Sequence, residues 1–133
     1  MTNESIRSSI ATLFISSWAT RTKISLSNYS FDPPKGAAWV RLSTIMGSTT
    51  EGEVGISGVS IRSGSFIVGV FVPVNSGVVT AFGHADAVET ITRRAITSAG
   101  VIFGEPYTVD MGADNYGYYH LQVITPFQTF VGE

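Results

Sequence analysis

The stretch from Ser65 to Val72 constrains the fold more than any other part of the sequence. It reads Ser-Phe-Ile-Val-Gly-Val-Phe-Val, so an extended chain is apolar on both faces there, and Pro73 ends it. Such a strand is typical of the centre of a sheet that is covered on both sides. The predicted strand runs over residues 59–73, and the rest of the chain must supply its neighbours and its covering layers.

Two helices are predicted to supply a covering layer. The first is predicted over residues 4–20, because apolar residues recur there at helical spacing. Its stripe consists of Ile6, Ile10, Leu13, Phe14 and Trp18. The second is predicted over residues 78–99, with Gly100 as a left-handed stop and with Glu89 and Arg93 paired one turn apart. Its packing stripe consists of Ala81, Ala85, Val88, Ile91 and Ala95.

Three further strands are predicted, over residues 38–46, 101–109 and 116–125, followed by a tail over residues 126–133. Pro106 lies within the second of these and demands an edge position or a bulge. The order is therefore helix, strand, strand, helix, strand, strand. It predicts one α+β domain over residues 1–133, with two helices packed on an antiparallel or mixed sheet of about four to five strands.

Residues 47–58 interrupt the strand pattern with four glycines and two acids. A segment of this composition and length is typical of a flexible functional loop, and we expect it to be the least ordered part of the chain. The candidate contact residues in it are Gly47, Ser48, Thr49, Thr50, Glu51, Gly52, Glu53 and Val54.

Charge is scarce in this chain. Charged residues make up 14% of it, whereas about 25% is usual for a soluble domain. A small domain with so few charges is expected to cover part of its surface with other protein, as an oligomer or assembly subunit. A monomer with a surface rich in serine, threonine and glycine is the alternative.

Composition also excludes several classes of partner. The net charge is −2 and no basic run occurs, so the sequence lacks the electrostatic footprint of a nucleic-acid-binding protein. There are no cysteines for disulfides or thiolate metal sites. Neither a signal pattern nor an apolar run of the roughly 18–20 residues that span a membrane is found, so we expect synthesis in the cytoplasm without export and no membrane contact.

A search for catalytic groups finds little. The two histidines are His84 and His120, and zinc needs three or four protein ligands. The close carboxylate pairs outside the helices, Asp110 with Asp114 and Glu51 with Glu53, lie in glycine-containing segments where acids serve backbone hydrogen bonding. No phosphate-binding, dinucleotide or nucleophile-elbow motif occurs. The sequence therefore predicts no catalytic residue, no metal site and no cofactor.

Several side chains are of the types that protein interfaces favour. The candidate interface residues are Trp39, Arg41, Tyr116, Tyr118, His120, Phe127 and Phe130.

The order of these segments resembles the tail-terminator-like proteins of long-tailed bacteriophages over nearly the whole chain. The resemblance lies in Ser17-Trp18-Ala19-Thr20, Asn28-Tyr29-Ser30-Phe31-Asp32-Pro33-Pro34, Trp39-Val40-Arg41-Leu42, the stretch from Arg62 to Pro73, Asn75-Ser76-Gly77, Ala85-Asp86-Ala87 and Tyr118-Tyr119-His120-Leu121-Gln122-Val123. No one of these motifs is specific, so the resemblance depends on their order and spacing together.

The resemblance implies a structural subunit that forms a six-membered ring on the head-proximal end of the tail tube. Such a ring stops tube polymerisation and presents a surface to the head. The implied partners are further copies of the chain, the major tail tube protein and the head–tail connector protein, and DNA passes through the lumen without specific binding. Glu51 and Glu53 would then help to line an acidic ring, because carboxylates repel phosphates.

Three alternatives stay open at this point. A head–tail connector or neck adaptor also forms a ring. A small ligand-binding or regulatory domain would use a cleft between helices and sheet and would be a stable monomer. An enzyme would need titratable groups that converge in the fold.

Overall fold

The computed structural model describes residues 3–18, 21–25, 37–51, 60–74, 78–97, 99–113 and 117–131. Two helices and six strands lie in these ranges. In chain order they are α1 (Asn3–Trp18), β1 (Lys23–Ser25), β2 (Trp39–Glu51), β3 (Ser60–Pro73), α2 (Val78–Thr92), β4 (Ile102–Phe103), β5 (Tyr107–Ala113) and β6 (Tyr118–Val131). The predicted α+β class is confirmed, and the sheet has one strand more than expected.

The strands form a single mixed sheet in the order β1-β2-β3-β6-β4, with β5 also paired to β6. The β1–β2 pair is parallel and every other pair is antiparallel. β3 and β6 pair along their whole lengths, from Ser60 opposite Val131 to Pro73 opposite Tyr118. The apolar stretch that predicted a central strand therefore does lie at the centre of the sheet.

The core lies between the helices and one face of the sheet. The predicted stripe of α1 is confirmed, since Ile6, Ile10 and Phe14 are fully buried and recur every four residues. The sheet residues that meet the helices alternate along each strand. They are Val40 and Leu42 on β2, Phe66, Val68, Val70 and Val72 on β3, and Leu121, Val123 and Phe127 on β6.

The second helix is shorter than predicted and ends at Thr92 instead of residue 99. Arg94 adopts a left-handed φ of 51°, and its N–H donates to the carbonyl of Gly104 at 3.1 Å. Phe103 N–H donates in turn to the carbonyl of Ala95 at 2.8 Å. These bonds to the β4 region replace a continued helix, so the left-handed residue that follows α2 is Arg94. Gly100 is left-handed as predicted, with a φ of 92°, but it lies in the turn before β4 and does not end the helix. The predicted ion pair of Glu89 with Arg93 is present, at 3.0 Å.

The predicted strand over residues 101–109 is divided into β4 and β5 around Pro106. Proline has no N–H to donate to a neighbouring strand. The strand is therefore interrupted at Pro106, the residue for which the sequence predicts an edge position or a bulge. The prediction of a tail from residue 126 is wrong for residues 126–131, because β6 continues to Val131. Pro126 is tolerated in β6, and its carbonyl accepts from Gly104 N–H at 2.8 Å.

The predicted loop over residues 47–58 is wrong at its beginning, because Gly47–Glu51 continue β2. Residues 52–58 lie outside the described residues. The pairing with β3 shifts between Met46 and Thr49, which marks a β-bulge. Glycine is needed at this point, since a Cβ on Gly64 would lie 2.3 Å from the carbonyl oxygen of Ile45. A Cβ on Gly47 would likewise lie 2.8 Å from the carbonyl oxygen of Ser63, so this one glycine of the predicted loop permits a close approach of two strands.

Candidate assembly surface

One face of the sheet carries neither helix. We call it the helix-free face, and it is formed by the strand residues that alternate with the core residues. Cross-strand register places Ser43, Ile67, Ile124 and Tyr107 in one row on this face. The expectation that β3 is covered on both sides is thus corrected. Among the described residues, helices cover one side of β3, and on the other side it is partly covered by side chains of the sheet itself.

Three stacked rings fill one end of the helix-free face. Trp39, Phe71 and His120 are direct cross-strand neighbours on β2, β3 and β6. The Trp39 and Phe71 rings stack with centroids 4.1 Å apart and planes 5° from parallel, and Phe71 and His120 stack at 4.1 Å and 13°. Cross-strand aromatic pairs stabilise a sheet. We call these three residues the aromatic ladder.

Two further side chains enclose the aromatic ladder. The guanidinium carbon of Arg41 lies 5.4 Å from the Trp39 ring centroid and 5.1 Å from that of Phe71, which is within cation–π range. The Tyr118 ring meets Trp39 edge-on at 6.0 Å. Trp39 and Phe71 are each only 4% exposed as a result, so the ladder is a small second core.

Gly69 leaves the space that the ladder occupies. A Cβ there would lie 3.0 Å from His120 Nε2 and 3.1 Å from a ring carbon of Phe71. Both distances are shorter than ordinary van der Waals contact, so any side chain at this position would displace a ring.

The remainder of the helix-free face carries uncharged polar side chains together with several exposed apolar ones. Ile45 and Tyr107 are each 54% exposed and Phe130 is 51% exposed. Among the described strand residues on this face, Lys23 and Arg41 alone carry charge, and both lie at the ladder end. Exposed large apolar side chains with few charges are typical of a surface that contacts protein.

A depression of about 590 Å³ opens at the far end of the sheet, next to the β-bulge. It is lined by Gly47, Ser63, Gly64, Ser65, Ile102, Phe103, Gly104, Pro126, Phe127 and Gln128. None of these side chains titrates near neutral pH, so the depression offers shape and amide or hydroxyl hydrogen bonds but no acid–base group.

The titratable groups singled out from the sequence lie apart from one another. His84, on α2, accepts a hydrogen bond at Nδ1 from Arg21 Nε at 3.0 Å and packs near Trp18. Partial burial lowers the pKa of His84, and the positive charge of Arg21 lowers it further. Asp110 accepts from Gly112 N–H at 2.9 Å and from the hydroxyl of Tyr119, and this second bond raises the pKa of Tyr119. Within the described ranges, no group of three or more His, Cys, Asp or Glu side chains is placed to hold a metal.

The structure brings four of the predicted interface residues together. Trp39, Arg41, Tyr118 and His120 form or flank the aromatic ladder. Phe130 lies on the same face, beyond the depression. Trp39, however, is buried by its neighbours, so its ring is not free to meet a partner.

Phe127 is wrongly predicted as an interface residue. It is 3% exposed and points into the core, where its ring meets Phe103 edge-on at 6.3 Å. Its position in β6 has the same parity as Leu121 and Val123, which decides its face. Tyr116, Gly52, Glu53 and Val54 lie outside the described residues. The contact role of residues 47–51 and the lumen role of Glu51 and Glu53 stay predictions.

Sequence reasoning missed Phe71, Ile45 and Tyr107 as members of this face. Phe71 lies in the strand that is predicted to be covered on both sides, and the predicted range 38–46 does not by itself assign Ile45 to a face. All three can be assigned to the face of Trp39 from the alternation of side chains along each strand. That assignment requires the register between the strands, which the sequence alone does not give.

Comparisons with known proteins agree with this architecture. One solved structure superposes on the chain with a TM-score of 0.73 and 14% sequence identity, over 97% of this chain and 96% of that chain. At such low identity the likeness establishes the fold alone. No curated protein sequence matches the chain significantly. Neither described helix has the length and apolar character of a membrane span.

The sequence profile of one protein family, described as phage tail terminator protein, matches residues 5–127. This range covers most of the chain, from the first turn of α1 to Phe127 in β6. The chain therefore belongs to the phage tail terminator protein family.

Proposed function

We propose that this protein forms a ring at the head-proximal end of the phage tail tube, where it stops tube polymerisation and provides the surface for joining the head. Membership of the tail terminator family gives it a structural role in the tail. The observation that carries the finer proposal is the helix-free face, which is broad, poor in charge and rich in exposed apolar side chains.

The assembly role follows from how such a face behaves in water. Burying apolar surface contributes roughly 25 cal/mol per Å², so a face that exposes Ile45, Tyr107 and Phe130 gains by contact with protein. A closed ring uses heterologous contacts, in which two different patches of each subunit meet. The proposed partners are therefore copies of this chain, the tail tube protein on one side of the ring and a head connector on the other.

The experiment is deletion of the gene from the phage, with electron microscopy of the tails. A terminator predicts overlong tubes, and addition of the purified protein to growing tubes should cap them and restore a uniform length. Tails of normal length that fail to join heads would instead identify a neck adaptor and contradict the proposal. Normal virions in the deletion strain would exclude both roles.

A Phe130→Ser variant serves as a matched test of the surface. Phe130 is half exposed, so the substitution should leave the fold intact while it weakens capping. Val79→Ser is the control, because Val79 is 84% exposed on α2, on the other side of the sheet.

A further inference from the structure

The apolar pattern of β3 is typical of a strand covered on both faces, and the described helices cover one of them. On the helix-free face, Phe71 is buried within the aromatic ladder. The other end of this face has exposed apolar side chains instead, and the depression opens among them. A second covering layer therefore has a place at the end of the sheet away from the ladder.

Four exposed apolar side chains surround the depression. Ile45 on β2, Tyr107 on β5 and Phe130 on β6 are each about half exposed and lie on the helix-free face. Ile96 is 66% exposed, and its bridge to β4 places it on the same face. We call these four residues the apolar rim. Exposed apolar side chains arranged around a hollow are typical of a site that receives protein.

The area inside the apolar rim has the size of one helix. Along β6 it extends six residues, from Ile124 in the row of Tyr107 to Phe130, which is about 20 Å at roughly 3.3 Å per residue. Across the sheet, four strand spacings of about 4.8 Å give about 19 Å. α1 has 16 residues, so it is about 24 Å long and about 10–12 Å across. One such helix fits over the depression.

The outer face of α1 is suited to such a contact. No charged residue occurs from Ser8 to Trp18, although Ser8, Thr12, Ile15 and Ser16 are exposed there. A helix face in contact with water normally carries charged residues. The hydroxyl of Ser16 donates to the carbonyl of Thr12 at 2.8 Å, so it keeps a hydrogen bond when it is buried. This face can therefore leave water at little cost.

The outer face of α2 is less suited to the depression. It carries Asp86, an exposed carboxylate one turn from Phe82. An unpaired carboxylate is costly to bury against an uncharged surface. Lys23 and Arg41, the cations among the described strand residues of the helix-free face, lie at its ladder end. Charge therefore favours α1 over α2 as the covering helix.

We infer that the outer face of α1 of one subunit packs on the helix-free face of the next, with Ile15 in the depression and the apolar rim around it. The neighbouring copy thus supplies the second covering layer of the sheet. The contact is heterologous, as a closed ring requires, because its two sides are different surfaces on opposite sides of the domain. The inference rests on the proposed ring and names the surfaces that close it.

The area of the contact suits a ring better than a dimer. A patch of about 20 Å by 19 Å covers about 400 Å² of each partner, and about 800 Å² per partner is standard for a stable specific complex. A dimer holds one such contact. Each subunit of a closed ring takes part in two, which together bury about 800 Å² of its surface.

The absence of cysteine allows a direct test. An Ile15→Cys, Gln128→Cys double variant is mixed with tail tubes and treated with a short bismaleimide. Gln128 is exposed and lines the depression, so each junction holds one cysteine of each kind. A ladder of covalent oligomers beyond the dimer is expected on a denaturing gel. Val79→Cys with Gln128→Cys is the matched control and should give no ladder, because Val79 is exposed on α2.

The outcomes separate this inference from the proposed function. Each single cysteine variant should remain monomeric on the gel, and dimers from Gln128→Cys alone would mean that two helix-free faces meet, which overturns the inference. A ladder from the Val79→Cys control would assign the contact to α2 and overturn it as well. Tubes capped by the double variant without a ladder would overturn it while the terminator role stands. Failure of the parent chain to cap tubes would overturn both.

Charge substitution gives a second, independent measurement. Ile15→Glu should abolish capping with little change in the thermal unfolding of the subunit, because Ile15 is exposed on the outside of α1. Adding Gln128→Lys to the same chain places a cation beside the glutamate at every junction and should restore capping. Gln128→Glu is the matched control and should not restore it. Equal capping by all three variants would contradict the contact between α1 and the depression.

Discussion

The two faces of the sheet differ in what they pack against and in how much charge they carry. The helix-bearing side holds the core, and ion pairs of the described residues lie on and around its helices: Glu4 with Arg7 at 2.6 Å on α1, and Glu105 with Arg93 and Arg94 at 3.1 and 2.6 Å beyond α2. The helix-free face has the aromatic ladder and few charges. Exposed apolar side chains occur on both sides, with Ile45, Tyr107 and Phe130 on the helix-free face and Ile15, Val79 and Phe82 on the helices. β6, which contributes to both faces, contains no charged residue at all.

This contrast shows how a chain with few charges divides them. Exposed ion pairs contribute little to stability, typically about 0–1 kcal/mol. The helix-free face is left poor in charge, and charge is depleted at the centres of protein interfaces. The faces should therefore respond differently to substitution, which three comparisons can test.

The largest difference is expected between two phenylalanines. Phe66 is buried in the core, with its ring 5.8 Å from that of Phe14 and 6.1 Å from that of Phe103. Phe66→Ala should lower the free energy of unfolding by about 3–5 kcal/mol, because it leaves a cavity. Phe130→Ala, on the helix-free face, should cost about 1 kcal/mol or less. Urea titration followed by circular dichroism measures both, and similar losses for the two would refute the division into a core face and a contact face.

Smaller changes in the free energy of unfolding are expected for two glycine-to-alanine variants, and the two changes should have opposite signs. Gly69→Ala places a Cβ against His120 and Phe71 in the ladder, and such overpacking typically costs about 1–3 kcal/mol. Gly83→Ala on α2 meets no atom within 4 Å and should stabilise the helix by about 0.5–1 kcal/mol. Thermal unfolding of the two variants beside the parent chain gives both signs. A neutral Gly69→Ala would mean that the ladder has room to move and is not a packed second core.

The smallest effect concerns pH and lies on the helix side. Burial, reinforced by Arg21, lowers the pKa of His84 in the folded chain below its ordinary value of 6.5. Below that value the unfolded chain takes up a proton that the folded chain does not, so the free energy of unfolding should fall as the pH drops through 6.5. His84→Gln should remove this part of the pH dependence. Melting curves at about pH 8 and about pH 5.5 test it, and an unchanged pH dependence in the variant would contradict the assignment.

The sequence predicted the elements whose pattern is local. The stripe of α1 from Ile6 to Trp18 and the apolar β3 strand are set by side-chain periodicity within one segment, and both are present. The end of α2 was missed because it depends on hydrogen bonds between Arg94 and Gly104 and between Ala95 and Phe103. No pattern within residues 78–99 contains that information.

Only part of the candidate surface could be predicted, because it too depends on contacts between distant segments. Trp39, Arg41, Tyr118 and His120 were selected by residue type, and the register of β2, β3 and β6 brings them together with Phe71. Phe127 is placed wrongly because Pro126 predicts the end of the strand, which puts the apolar residue after it in a tail. Only the continuation of β6 past that proline fixes the parity that turns its ring into the core.

The order of the strands along the chain has a consequence for biosynthesis. β6 lies in the middle of the sheet, between β3 on one side and β4 and β5 on the other, yet it is the last of the six strands in sequence. Until β6 has left the ribosome, β3 lacks its partner on one side, β5 lacks its described partner strand, and β4 has only the bridge from Ile96 to Ile102. Pairing across so long a separation is slow, so the sheet is completed late. A chain that ends before β6 would therefore lack the strand that joins β3 to β4 and β5, and it would form neither the core side of the sheet nor the helix-free face.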